Sequence, residues 1–164
     1  MSKVTPFLTF DGRCAEAVEL YCSLIKNSRI HSMQTWGDNA DAVDRVVKGK
    51  SVITARFELD GQQFMAMDVE GGFPKGDGFS LYAECEDQAE VDRIWAALTT
   101  DGGKVTACGW LVDHFGFSWQ IIPKALTDYM SMPDSPKKRA VIDAMLKMKK
   151  IIVKDLDAAY QQAK

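Results

Sequence analysis

Two segments of the chain carry the same apolar stripe. Val18, Tyr21, Cys22 and Ile25 fall at i, i+3, i+4 and i+7, and so do Val91, Ile94, Trp95 and Leu98. That spacing lines one face of an α-helix. The two stripes are a constant 73 positions apart, which makes them an internal repeat. An apolar run precedes each helix: VTPFLTFDG, ending at Asp11–Gly12, and FSLYAECED. Both read as strands. Each helix then leads into further strands. In the first half these are Arg29–Thr35, Ser51–Leu59 and Gln63–Val69. Asp60–Gly61 joins the last two as a hairpin turn, because glycine accepts the positive φ such turns require. In the second half they are a piece near Lys104–Thr106, then Gly109–Val112 and Phe117–Ile122, with the turn at Gly116. Both halves therefore read strand, helix, strand, strand, strand.

Two stretches fall outside the repeat. The segment WGDNADAVDRVVKGK, residues 36–50, has no counterpart in the second half. Ala40, Val43 and Val47 there would line one face of a short helix or an irregular arm. It reads as a solvated loop, a lid over a cavity, or an arm reaching a partner subunit. After Pro123 the pattern turns helical. Ser135–Pro136 is a helix start, with serine as cap and proline at the first helical position. Val141, Ala144, Met145 and Met148 form an apolar stripe, and a last helix near Asp155 carries Leu156, Ala159 and Tyr160.

Composition narrows the classes. The 164 residues are 46% hydrophobic, enough for a core, and the net charge is −3. That balance argues against a broad nucleic-acid or anionic-membrane surface. The clusters Lys137–Lys138–Arg139 and Lys147–Lys149–Lys150 have the spacing of a solvated helical face. No apolar run approaches the ~20 residues of a membrane span, and no signal-peptide pattern opens the sequence. The expected location is the cytoplasm. Cys14, Cys22, Cys85 and Cys108 form no CxxC pair and read as reduced, buried thiols rather than a zinc or disulfide framework.

The motifs PFLTFDGRCAEAVELY, SVITARFELDGQQFMAMD, FSLYAECEDQAEVDRIW, CGWLVDHFGFSWQIIP and AMLKMKKIIVKDLDAAY resemble the vicinal oxygen chelate superfamily. That superfamily includes glyoxalase I, extradiol dioxygenases and bleomycin-resistance proteins. More closely, the chain resembles the PhnB-like group, often labelled 3-demethylubiquinone-9 3-methyltransferase domain proteins. The resemblance implies an α+β fold, tandem βαβββ units curled into a mixed-sheet cup, in one domain spanning residues 1–164. The first unit covers residues 1–70 with the arm 36–50, the second 78–123, and residues 124–164 form a C-terminal helical tail. No glycine-rich loop for S-adenosylmethionine follows a strand, so the methyltransferase label has no motif behind it.

Metal-dependent members of the superfamily hold a divalent ion with histidine and glutamate from four strands. Aligned on this chain, the final-strand motif D-x-x-G-x-x-x-E reads Asp113, His114, Phe115, Gly116, Phe117, Ser118, Trp119, Gln120. Gln120 stands where the carboxylate would be. The first-strand position falls at Thr5 or Phe7, the second unit's opening strand offers Phe79 or Ser80, and the strand after the first hairpin offers Met67 or Asp68. His31 and His114 lie outside all four. The expectation is a metal-free cup with no cofactor.

Strand alternation assigns faces. Trp119 and Ile121 should pack under helices, with Ser118, Gln120 and Ile122 toward the cavity. Thr5, Phe7 and Thr9, together with Met65 and Met67, should share the cavity face of the first unit. Ser80, Tyr82 and Glu84 should do so in the second. Phe7, Thr9, Met67, Ser80, Tyr82 and Gln120 are thus the candidate ligand-binding residues, suited to a small, largely uncharged molecule. Trp36 and Trp110 are candidate contacts to ligand or partner. The functional expectation is a metal-free homodimer, a sequestration or resistance-type binding module. The alternatives are an enzyme and a structural protein whose cup is filled. The enzyme would use either an atypical divalent site including Asp68 and Gln120, or His114 as acid or base.

Overall fold

The computed structural model describes residues 3–35, 52–76 and 78–163. The arm at 36–50, with Trp36, lies outside the described residues. The chain divides into two compact units, Met1–Pro74 and Lys75–Lys164.

The first unit runs β1 (Phe7–Phe10), α1 (Cys14–Leu24), β2 (Arg29–Thr35), β3 (Val52–Leu59) and β4 (Gln62–Asp68). Its strands lie in the order β1-β4-β3-β2, with β1 parallel to β4 and the other pairs antiparallel. Asp60 and Gly61 both have positive φ, +43° and +83°, the signature of a two-residue hairpin turn. One face is closed by α1, which packs on β2, β3 and β4. Its buried stripe is Cys14, Ala17, Val18, Tyr21 and Leu24. The stripe read from the sequence included Cys22 and Ile25. Both are only half-buried, because the helix ends at Leu24 and Ile25 is already extended.

The second unit opens with β5 (Leu81–Cys85), α2 (Gln88–Thr99), β6 (Lys104–Val105), β7 (Trp110–Val112) and β8 (Ser118–Pro123). The sheet order β5-β8-β7-β6 repeats that of the first unit, again with only the first pair parallel. The repeat inferred from two stripes is therefore a repeat of topology. Asp87 caps α2, its side chain accepting the Glu90 amide at 2.9 Å, and Val91, Ile94, Trp95 and Leu98 are all buried.

Three helices complete this unit: α3 (Lys124–Ser131), α4 (Pro136–Met145) and α5 (Val153–Gln162). Ser135 caps α4 through the Lys138 amide, with Pro136 following as expected. The sequence pattern did not reveal α3, in which only Leu126 is fully buried. Ile122, expected to face the cavity, is instead buried with Leu126, Val141, Ile151 and Leu156. The helices cover that end of the sheet and exclude water from it. Lys137 and Arg139 are exposed on α4, as expected of a solvated helical face. Lys147, Lys149 and Lys150 instead follow the end of α4, and Lys150 pairs with Asp92. Lys138 donates to the Met130 and Met132 carbonyls at 2.7 and 2.8 Å, closing the end of α3.

The extension is stitched to the sheet by backbone. The Cys108 and Gly109 amides donate to the Met148 and Lys149 carbonyls at 2.8 and 2.7 Å. The Gln88 side chain bridges the same crossing: it accepts the Val153 amide at 2.8 Å and donates to the Ile151 carbonyl at 3.2 Å. Among the described residues no helix is long and apolar enough to cross a membrane.

Candidate functional site

In the second sheet β8 lies between β5 and β7. Trp119 and Ile121 are buried on the side that α2 covers, so alternation sends Ser118 and Gln120 to the other side. The register sets Tyr82 beside Gln120 and Gln120 beside Trp110. A phenol, an amide and an indole thus form one row across three strands. Tyr82 is 54% exposed and Trp110 lies at the surface. The Gln120 Nε2 donates to Ser80 Oγ at 2.9 Å. That bond uses the amide nitrogen as a donor, and the half-buried Gln120 keeps a carbonyl oxygen that can act only as an acceptor. Ser80, Tyr82 and Gln120 are therefore brought together as the sequence suggested. Glu84 is exposed on the same strand, in the row with Ile122.

The turn that aims β8 has its own anchor. Gly116 adopts φ +89°, and Asp113, only 3% exposed, holds the turn around it. Asp113 Oδ1 accepts the Phe115 and Phe117 amides at 2.9 Å each, and Oδ2 accepts the Trp119 indole N–H at 2.8 Å. A carboxylate accepting three donors satisfies its burial. His114 is half-buried in this turn, its ring centroid 4.0 Å from that of Phe115.

In the first unit, Phe7 pairs with Met65 and Thr9 with Met67 across β1 and β4. Met65 in turn sits beside Arg56 on β3. Phe7 is 49% exposed, whereas Thr9, Met65 and Met67 are half-buried. The apolar wall read from the sequence is therefore present, with Thr5 half-buried just before β1. The sequence reading missed Arg56, an exposed residue whose strand position lies in the same row. Its alternation with buried Ala55 and Phe57 was the available signal.

Asp68 has a structural role. Its Oδ1 accepts the Cys14 amide at 2.9 Å and its Oδ2 the Val52 amide at 2.8 Å. One carboxylate thus ties the end of β4 to the start of α1 and the start of β3, a favourable place for negative charge. Burial, and then the charge of Asp68, push the Cys14 thiol up to about 12. Burial alone raises Cys22 to about 11. Neither is a thiolate nucleophile near neutral pH.

The positions expected to hold a metal offer a poor donor set. Phe7, Met67 and Phe79 have no hard donor, and Thr5 and Ser80 are neutral hydroxyls. Asp68 has both oxygens on backbone amides, and Gln120 is bonded to Ser80. Among the described residues no three His, Cys, Asp or Glu side chains gather in a metal-binding group. This set does not fit a borderline divalent cation, which takes imidazole and carboxylate.

Comparison with known proteins agrees with this architecture. A family model described as 3-demethylubiquinone-9 3-methyltransferase matches residues 2–122. It stops at the end of the repeat, so the tail motif AMLKMKKIIVKDLDAAY lies beyond it. A PhnB protein from Bacillus cereus is 34% identical, with 74% of this chain and 99% of that one covered at a TM-score of 0.65. Protein PA1353 from Pseudomonas aeruginosa shares the fold at 23% identity, with 75% and 98% covered and a TM-score of 0.55. So does a fosfomycin resistance protein from Listeria monocytogenes, at 11% identity, 80% and 98% covered and a TM-score of 0.53. No curated protein matches the chain. A duplicated βαβββ topology, a family match over most of the repeat and a relative matched along nearly its whole length lead to one assignment: the chain belongs to the PhnB-like family, described as 3-demethylubiquinone-9 3-methyltransferase.

Proposed function

We propose that the chain is a metal-independent binding protein for a small, largely uncharged molecule, acting as a homodimer in the cytoplasm. The row Tyr82–Gln120–Trp110 carries the reading. Two aromatic side chains flank an amide whose nitrogen is committed to Ser80. A planar, neutral ligand with a hydrogen-bond donor matches that row: its ring lies against the aromatics and its donor meets the Gln120 carbonyl oxygen. His114 belongs to the turn rather than to this row, and acid–base chemistry is not part of the proposal.

The test uses N-phenylnaphthylamine, a neutral planar fluorophore with a single N–H donor. Saturable binding is expected, weakened up to roughly tenfold by Gln120→Ala, the loss of one hydrogen bond of ordinary worth. Absence of saturable binding, or an unchanged affinity in Gln120→Ala, contradicts the proposal. Light scattering at micromolar concentration is expected to give the mass of two chains, and a monomeric mass contradicts the dimer.

A further inference from the structure

The C-terminal extension reaches the same face of the second sheet as Gln120. Ile122 is two residues after Gln120 on β8, so the two side chains lie on one side of the strand. Ile122 is buried beneath α3, α4 and α5 through Leu126, Val141, Ile151 and Leu156. The helices therefore wall one end of the open face, one row beyond the amide. From α3, the Thr127 hydroxyl lies 3.3 Å from the hydroxyl of Tyr82, the phenol beside Gln120.

The helix that presents Thr127 is held on several sides. Leu126 is anchored in the apolar cluster, and Lys138 closes the C-terminal carbonyls of α3. The Tyr129 hydroxyl donates to Asp157 of α5 at 2.7 Å. Burial, then that bond, raise the Tyr129 phenol to about 12. A hydroxyl on so constrained a helix is a fixed point, whereas an exposed tyrosine ring alone samples several rotamers.

We propose that Thr127 is a positioning residue for the ligand site: it holds the Tyr82 ring upright as the wall of the Gln120 row, so that a planar ring meets a preorganised surface. The extension, which begins where the family match ends, thereby sets the shape this chain accepts. The inference rests on the binding reading given above. Its energetic basis is preorganisation: a wall ordered before binding spares the complex the entropy of ordering it.

Two readouts separate the latch from the site. The first is nitration of Tyr82 by tetranitromethane, followed by peptide mapping, which needs no ligand. Thr127→Val, which removes the hydroxyl and keeps the shape, is expected to accelerate nitration of Tyr82, and Thr127→Ser to restore the original rate. An unchanged rate in Thr127→Val overturns the latch. The second readout is N-phenylnaphthylamine affinity, with melting temperature as the control for folding. Thr127→Val and Tyr82→Phe should each weaken binding by roughly twofold to tenfold, the range of one net hydrogen bond. The double variant should be no weaker than either single one. Additive losses, or wild-type affinity in Thr127→Val, overturn the positioning role. If the unmodified chain binds no probe while nitration responds as expected, the binding reading fails, and the ligand role of Thr127 with it.

Discussion

Replacing Asp113 with asparagine tests whether one buried carboxylate sets the aim of β8. The substitution preserves shape and one oxygen. Oδ1 can still accept the Phe115 and Phe117 amides, but as a neutral acceptor, and charge-assisted bonds are roughly twice as strong as neutral ones. At the other position an NH2 group replaces Oδ2 and faces the Trp119 indole N–H, 2.8 Å away in the native geometry. Two donors then meet where a bond had been, at a cost of about 1–3 kcal/mol for a buried site. Weakening of the two amide bonds adds about 1 kcal/mol, and relief from burying a charge returns part of it. The expected net loss is about 1.5–3.5 kcal/mol, which for a chain of this size lowers Tm by roughly 3–14 °C. Urea unfolding followed by tryptophan fluorescence measures it. Repeating the substitution in a Trp119→Phe background removes the donor–donor conflict, so the cost there should fall by about 1 kcal/mol or more. A loss under about 0.5 kcal/mol, or an equal loss in both backgrounds, refutes the reasoning.

Further expectations concern the extension and the thiols. A Cβ on Gly109, whose φ is +83°, would lie 2.7 Å from Ile122 Cδ1 and 2.9 Å from the Ile121 carbonyl oxygen on β8, and 3.2 Å from Ile151 Cγ1 of the extension. Gly109→Ala should therefore destabilise by about 1–3 kcal/mol, and unaltered urea unfolding would contradict the packing of the sheet against the extension. Leu156→Ala empties part of the cluster around Ile122 and should cost about 2–5 kcal/mol by the same measurement. A cost below about 1 kcal/mol would mean that the helices are not docked as described. Cys14 and Cys22 are raised to about 12 and about 11 in the folded chain, against an ordinary value of 9.0. In the unfolded chain both ionise near the ordinary value, so their contribution is complete below pH 9 and is lost as pH rises from there toward 12. Urea midpoints should fall over that window, and less steeply in Cys14→Ala relative to its own value at pH 8. An equal slope in that variant contradicts the assignment.

How far the fold could be read ahead depended on whether its cause was local. The stripe Val91, Ile94, Trp95 and Leu98 is a local pattern and is buried in full, and Asp60–Gly61 states its own turn. Helix α3 escaped notice because a single buried residue, Leu126, makes no stripe. Ile122 was misplaced because alternation assumes an open face along a whole strand, and helices from farther down the chain cover its last turn. Candidate site residues were legible to the extent that strand registry made them so: Tyr82 and Gln120 are neighbours as alternation implied. Thr127 was not, because its partner lies 45 residues away on another element. The two aspartates divide on the same principle. Asp68 binds amides 54 and 16 residues distant, which no local pattern announces. Asp113 binds amides two and four residues ahead, and an aspartate three positions before a glycine was a turn signal that could have been read.

Metal independence is the claim on which the binding account stands, and elemental analysis tests it most directly. The full chain is purified without chelators or an affinity metal and assayed for manganese, iron, cobalt, nickel, copper and zinc against protein concentration. The account predicts every one of them far below stoichiometric. A divalent metal present at one ion per chain, retained through extensive dialysis, would contradict it.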